Sequence, residues 1–268
     1  MNSFDPILAM QLAPVNILRA VIAMATVIGF ALPALGQLTS GSCGEYRGTL
    51  DDSTEIGMSI YSRDKTLQGS YFYKKHLADI PLQGSYDAPR DISLTETNSD
   101  GSPRGTFHLH FAEHDLRYST DQVLQGEVLQ GKWLSADGHK THAVSLRMQS
   151  DCPGPGTSRY AVAGSTSDTL VEKNASAFYD AVLSGNRQEA VKYVSFPCAY
   201  FENGKRISIK DPGSFLKDYN RIFSPAFVAK IAKDVPHHMF ANWQGVMIAD
   251  GAVWFDERGK AKNFNNQN

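Results

Sequence analysis

The sequence contains no Gly-x-Ser-x-Gly elbow, phosphate-cradling glycine loop, dinucleotide fingerprint, Cys-x-x-Cys pair or His-Glu-x-x-His helix. The local signatures of common hydrolases, nucleotide enzymes, thiol oxidoreductases and zinc peptidases are therefore missing. Cysteine is scarce, with Cys43, Cys152 and Cys198 the three present. A dense basic stripe is lacking too. Gln37 to Gly156 carries 11 basic and 16 acidic residues, and Thr157 to Asn268 carries 14 and 11. Neither balance suits a phosphate backbone, which argues against nucleic acid as a partner, while the opposite signs allow the two halves to attract each other.

Charge is also absent from Ala20 to Gly36, a run that follows Arg19 and ends in Pro33-Ala34-Leu35-Gly36. A positive residue, a short apolar core, a helix breaker and small exit residues make a secretory signal peptide over residues 1–36, cleaved after Gly36. The preface Met1 to Asn16 has Asp5 and no Lys or Arg, so Met10 is an alternative start. The competing reading is an uncleaved anchor, for which the run is short against a span of about 20 residues. Any membrane attachment would run through this segment alone. Ser40 stands three residues before Cys43 where a lipoprotein signal would have Leu. Export places the chain in the periplasm or outside the cell, where disulfides persist. Cys43 and Cys152 bracket the first half and are the expected pair. Cys198 is left over in an apolar strand, which reads as a buried thiol.

Residues 37–152 show strand periodicity and no helix pattern. The phrase Leu-Gln-Gly-Ser-Tyr occurs at Leu67 to Tyr71 and again at Leu82 to Tyr86, and Gly105 and Gly126 also open short apolar runs. Strands are expected near Glu45–Leu50, Ile56–Tyr61, Leu67–Tyr73, Asp79–Tyr86, Ile92–Thr97, Gly105–Ala112, Val123–Leu134 and Thr141–Met148, separated by turn residues. Phe107, Leu109 and Phe111 alternate with Thr106, His108 and His110, as a half-buried strand requires. About eight short antiparallel strands suggest a small up-and-down barrel or curled sheet, with a flat sandwich as the alternative. Glycines at strand starts suit a sheet that bends tightly.

Cys152-Pro153-Gly154-Pro155-Gly156 opens a linker over residues 153–167, of which Arg159 to Ser167 could be extended. Residues 168–268 then read as α+β. Asp168 is a cap for a helix to about Ser184 with Leu170, Val171, Phe178, Ala181 and Val182 on one face, and Gly185 is its stop. Asn186 and Glu189 look like a capping pair for a second short helix. Asn203-Gly204 turns a hairpin of Phe196–Glu202 and Lys205–Ile209. Asp211-Pro212 and Ser224-Pro225 each start a helix with a cap and a proline. Gly245–Ala249, Ala252–Phe255 and Ala261–Asn265 form a closing meander.

This element order, with Met239 to Ile248 and Gly251 to Phe255, resembles a reduced NTF2-like (cystatin-like) cone domain of exported bacterial proteins over Asp168 to Asn265. The first half resembles the Gly-x-Tyr meanders of lipocalin- and avidin-like small barrels in secreted proteins. The first resemblance implies a ketosteroid-isomerase type of site, a carboxylate base and a Tyr or Asp donor in an apolar cone. Its candidates are Asp180, Tyr200, Asp218, His237 and His238, with Tyr179 and Tyr219 beside them. Asp180 lies off the apolar helix face, and Tyr219 fits the apolar period better than Asp218. Read as neighbours on a strand, His237 and His238 point to opposite faces and do not share a metal. His108 and His110 share a face about 7 Å apart, a two-ligand spacing, and His114, Glu113 or Asp115 could add a third donor. The plainer reading has these histidines in solvent. Tyr71, Tyr73, Tyr86 and Trp133, with Phe72, could line a ligand mouth or fill the barrel.

No cofactor is called for. The sequence reads as an exported two-domain binding or interaction module for a protein or a small envelope ligand. The rivals are a small isomerase, dehydratase or hydrolase with its site in the C-terminal cone, and an inhibitor offering the loop Asn98 to Arg104 to a secreted hydrolase.

Overall fold

In the computed structural model the described residues are 41–87, 91–112, 117–118, 124–125, 128–202 and 204–266. The leader with both start codons, together with Glu113, His114, Asp115 and Gly126, lies outside them. Among the described residues no helix is long and apolar enough to cross a membrane.

The period-two segments of the first half form β1 (Cys43–Leu50), β2 (Thr54–Arg63), β3 (Thr66–Tyr73), β4 (Ile80–Asp87), β5 (Asp91–Thr97) and β6 (Pro103–Phe111). A two-residue ladder of β7 (Arg117–Tyr118) and β8 (Leu124–Gln125) follows, then β9 (Val128–Ser135) and β10 (Thr141–Asp151). Eight of these close into an antiparallel barrel in the order β1-β10-β9-β6-β5-β4-β3-β2, which rules out the flat sandwich. The ribbon of β7 and β8 stands apart from it. Tyr46, Met58, Leu67, Leu94, Phe107 and Leu129 are among the side chains filling the interior.

The repeated Leu-Gln-Gly-Ser-Tyr earns its glycine here. Leu82 is buried in the barrel core and Gly84 follows two residues on, at an inward position where the neighbouring strand presses close. A Cβ on Gly84 would sit 1.7 Å from the Ser93 carbonyl oxygen, and one on Gly69 would sit 2.0 Å from that of Ser59. Neither oxygen can move without breaking the ladder. Gly84→Ala is therefore expected to cost roughly 2–3 kcal/mol, as overpacking does, read as a lowered urea midpoint at unchanged slope.

Cys43 and Cys152 are disulfide-bonded, with Cα atoms 4.9 Å apart, and staple the start of β1 to the end of β10. The bond fits an oxidising environment. From Ser158 to Gly164 the chain is a series of turns with a 3-10 segment at Ala161–Ala163, so the extended piece expected there does not form. Asp168 is why. Its carboxylate accepts from Ser158 Oγ (2.6 Å), Arg159 N (2.7 Å) and Tyr160 N (3.0 Å), folding the connector onto the next helix. Ser167 is the cap of that helix instead, its hydroxyl accepting from Leu170 N at 3.2 Å.

The second part contains α1 (Asp168–Leu183), α2 (Arg187–Ala190), β11 (Val194–Glu202), β12 (Lys205–Ile209), α3 (Pro212–Ile222) and α4 (Pro225–Ile231). It ends in β13 (Phe240–Asn242), β14 (Gly245–Ile248), β15 (Val253–Phe255) and β16 (Ala261–Phe264). The capping residues act as their chemistry predicts, Asp211 accepting from Ser214 N at 2.9 Å and Ser224 from Phe227 N at 3.3 Å. The sheet order is β12-β11-β16-β15-β14-β13, with β11 and β16 parallel and the other pairs antiparallel. Val171, Ala175, Phe178, Ala181 and Val182 of α1 pack on it, while Leu170, expected on that face, is exposed. Phe178, Phe215, Phe223, Phe255 and Phe264 interlock at ring separations of 5.4–6.1 Å and fill the region's interior. Barrel and α+β region belong to one compact unit, Ala34–Asn268.

Candidate functional site

The barrel meets the α+β region through the outer face of β1, β2 and β3. Alternation along these strands turns Tyr46, Met58 and Tyr71 inward and leaves Glu45, Arg47, Ser59 and Phe72 outside. In an isolated barrel those side chains would be wet; here Phe72 is fully buried and Glu45 is 4% exposed. What covers them is the turn between α4 and β13. Asp234 shapes that turn, accepting from Val235 N at 2.8 Å and from Ala249 N at 2.7 Å, while Tyr179 of α1 donates to the Asp234 carbonyl at 2.9 Å.

The turn carries His237 and His238. They are not on a strand. His238 takes φ of +49°, a left-handed conformation in which the chain reverses, so the two rings stack at 4.3 Å instead of pointing to opposite faces. The expectation that these neighbours diverge is thus corrected. Arg47 secures the turn by donating to the carbonyls of His237 (2.8 Å) and His238 (3.1 Å), and its guanidinium lies 4.8 Å above the Phe72 ring. The Phe72 ring meets both imidazoles edge-on, at 4.5 and 5.2 Å.

Each imidazole is then held through Nδ1. His237 Nδ1 lies 2.7 Å from Glu172 Oε2 on α1. The other oxygen of Glu172 accepts from the Tyr160 hydroxyl (2.7 Å) and from His238 N (3.1 Å), so both carboxylate oxygens are engaged. His238 Nδ1 lies 3.0 Å from Ser59 Oγ, and Ser59 donates to Glu45 Oε1 at 2.8 Å. Arg159 also donates to Glu45 Oε1 and neutralises it. Both Nε2 atoms turn to one carboxylate. Asp79, in the connection between β3 and β4, places Oδ1 3.2 Å from His237 Nε2 and Oδ2 3.0 Å from His238 Nε2.

Burial works against charge throughout this cluster, and the pairing outweighs it. The His237 imidazole is pushed up to about 9 because Asp79 and Glu172 overcome its desolvation. Glu172 is held below its usual value by His237 despite burial, and Glu45 likewise by His238 and Arg159. Asp79 is depressed strongly by hydrogen bonds from the two histidines.

Two clefts open on this cluster. One of about 530 Å³ is bounded by Asp79, Arg159, Glu172, Lys173, His237 and His238. The other, of about 850 Å³, has Ile56, Phe72, Met239, Phe240 and Met247 among its apolar walls, with the cations Arg47, Lys74, Lys230 and Lys233 and the carboxylates Glu45, Glu55, Asp234 and Asp250 also lining it. Lys74 is bound to Glu55 at 2.9 Å, whereas Lys230 and Lys233 have no ion-pair partner among the described residues.

Ser59, His238 and Asp79 are linked in the order and chemistry of a serine-hydrolase relay, yet they cannot act as one. The Ser59 hydroxyl proton is committed to Glu45, so His238 does not receive it. The other sequence candidates fall elsewhere. Asp180 is exposed on α1, and Tyr200 is buried on β11 with its phenol raised by burial and by Asp218. Asp218 lies 3.7 Å from Arg221. His108 and His110 are exposed on the outer face of β6, and His114 is outside the described residues. Tyr71 is inside the barrel and donates to the buried Glu96, with Tyr73 5.5 Å away. Tyr86 and Trp133 pack on the same core. Burial pushes the Cys198 thiol up to about 12.

Comparison with protein-family models, with curated proteins and with solved structures finds no match to the chain.

Proposed function

We propose that the protein is an exported binding module, periplasmic or secreted, that holds an amphiphilic acidic ligand in the larger seam groove. The observation that carries this reading is a groove of about 850 Å³ with walls from both halves, lined in part by apolar side chains and bearing Lys230 and Lys233, which have no ion-pair partner among the described residues. That size lies within the usual range for small-ligand sites, about 300–1,000 Å³. An apolar body would cover Phe240 and Met247, and an acidic head would meet the lysines. Export is supported by the leader-like Arg19 to Gly36 and by the disulfide.

The order of helices, hairpin, helix pair and meander supports a reduced NTF2-like domain in the second half. Its cone would be occupied by Phe178, Phe215, Phe223 and Phe264, which favours binding at the seam over chemistry in the cone. Differential scanning fluorimetry with long-chain fatty acids and their methyl esters is the test. The acids are expected to raise the melting temperature and the esters to do so much less, with the difference lost in Lys230→Ala/Lys233→Ala. Equal effects of acid and ester, or turnover of a substrate in the seam, contradict the reading.

A further inference from the structure

We propose that Asp79, His237 and His238 form a site for one divalent first-row transition-metal ion, with Zn²⁺ as its representative, in the smaller seam cleft. The inference is independent of the ligand in the larger groove. One carboxylate oxygen of Asp79 and one nitrogen of each histidine lie within 4.8 Å of one another. The Asp79 oxygens stand 3.2 and 3.0 Å from the two Nε2 atoms. Donors around a tetrahedral ion with bonds of about 2.0–2.1 Å are about 3.3 Å apart, so the two carboxylate–imidazole separations already match and an ion would draw the remaining donors together.

The hydrogen bonds on the far side of each ring support the same set of donors. Ser59 has one hydroxyl proton and donates it to Glu45, which as a carboxylate can only accept. His238 Nδ1 must therefore be the donor to Ser59 Oγ. By the same reasoning His237 Nδ1 donates to Glu172, whose two oxygens are both acceptors. With Nδ1 engaged on each ring, Nε2 is the atom that each imidazole presents to the Asp79 carboxylate.

The surroundings match what metal-binding imidazoles require. Glu172 on one ring and Ser59 with Glu45 on the other fix the tautomer and orientation through Nδ1, as supporting residues do around metal ligands. Two imidazoles and one carboxylate suit zinc and its neighbours over calcium or magnesium, which prefer all-oxygen shells. Three protein ligands leave a fourth position facing the cleft of about 530 Å³, open to water or to a donor group of a ligand. Since Asp79 comes from the barrel and the histidines from the α+β region, the ion would also tie the halves together.

Equilibrium dialysis of the full chain against micromolar Zn²⁺, with metal counted by mass spectrometry, tests the site. One ion per chain is expected. Asp79→Asn, at a side chain 44% exposed, keeps the fold by circular dichroism and is expected to weaken uptake by at least about 100-fold. Glu172→Gln is expected to weaken it by about 10–100-fold as a supporting residue. The double variant His108→Ala/His110→Ala keeps full uptake. Absence of stoichiometric binding, or uptake that survives Asp79→Asn and is lost in the β6 double variant, overturns the proposal.

Discussion

Serine in place of both Cys43 and Cys152 is expected to lower the unfolding free energy by about 4–5 kcal/mol. The two cysteines are 109 positions apart, and the chain-entropy account of cross-linking gives a loop of that length this magnitude. The loop is the whole barrel. Its ends lie on β1 and β10, the neighbouring strands farthest apart in sequence, and Cys152 N already donates to the Cys43 carbonyl at 2.9 Å. Without the bond the unfolded chain regains the freedom of that loop, while the ladder between β1 and β10 remains to close the barrel. Both cysteines must be changed together. A single replacement would leave a thiol that an oxidising medium could pair with Cys198 in the unfolded state. Urea unfolding with and without the bond checks the figure, and a loss under 1 kcal/mol would show that the barrel closes without its staple.

Glu45→Gln is the second large effect, with an expected loss of about 3 kcal/mol. Glu45 is almost fully buried and holds Arg159, Ser59 and His238 at once. Glutamine keeps the shape and removes the charge, leaving Arg159, its side chain only 19% exposed, without its hydrogen-bonded counter-ion. Breaking a buried pair in this way costs about 3–5 kcal/mol, and the lower end applies because Arg159 can turn toward the adjoining cleft. A double-mutant cycle with Arg159→Met separates the pair from its surroundings. Strong coupling is expected, and additive effects would mean that the pair does not hold the seam.

The barrel was legible because its signals are local. Glycine, turn residues and period two mark every strand from β1 to β6, and tight curvature leaves its trace as glycine at inward positions such as Gly69 and Gly84. The helix caps of α3 and α4 were legible for the same reason. Ser167 and Asp168 show the limit, since both residues are good caps and only the folded connector, with backbone amides waiting at Arg159 and Tyr160, gives Asp168 another task. The short edge strand β13 was not anticipated, because Phe240-Ala241-Asn242 is too brief to show a period.

The seam left almost no trace. Outward Glu45, Arg47 and Ser59 alternate with apolar neighbours as residues facing water would, and only a partner surface makes them buried. Asp79 and His237 are separated by 158 positions, so no spacing rule connects them. His237-His238 was noticed as a pair, but the strand geometry assumed for it sends the rings apart. The left-handed His238 decides otherwise, and nothing about a histidine announces a positive φ.

The most direct measurement is anomalous diffraction at the zinc edge from crystals of the full chain grown with Zn²⁺. One ion is predicted, bonded at about 2.0–2.1 Å to Nε2 of His237, Nε2 of His238 and an oxygen of Asp79. Nδ1 of each ring should still point to Glu172 and Ser59. An ion held instead by His108 and His110 on β6, or none at the seam with the rings still stacked against Asp79, would contradict the account.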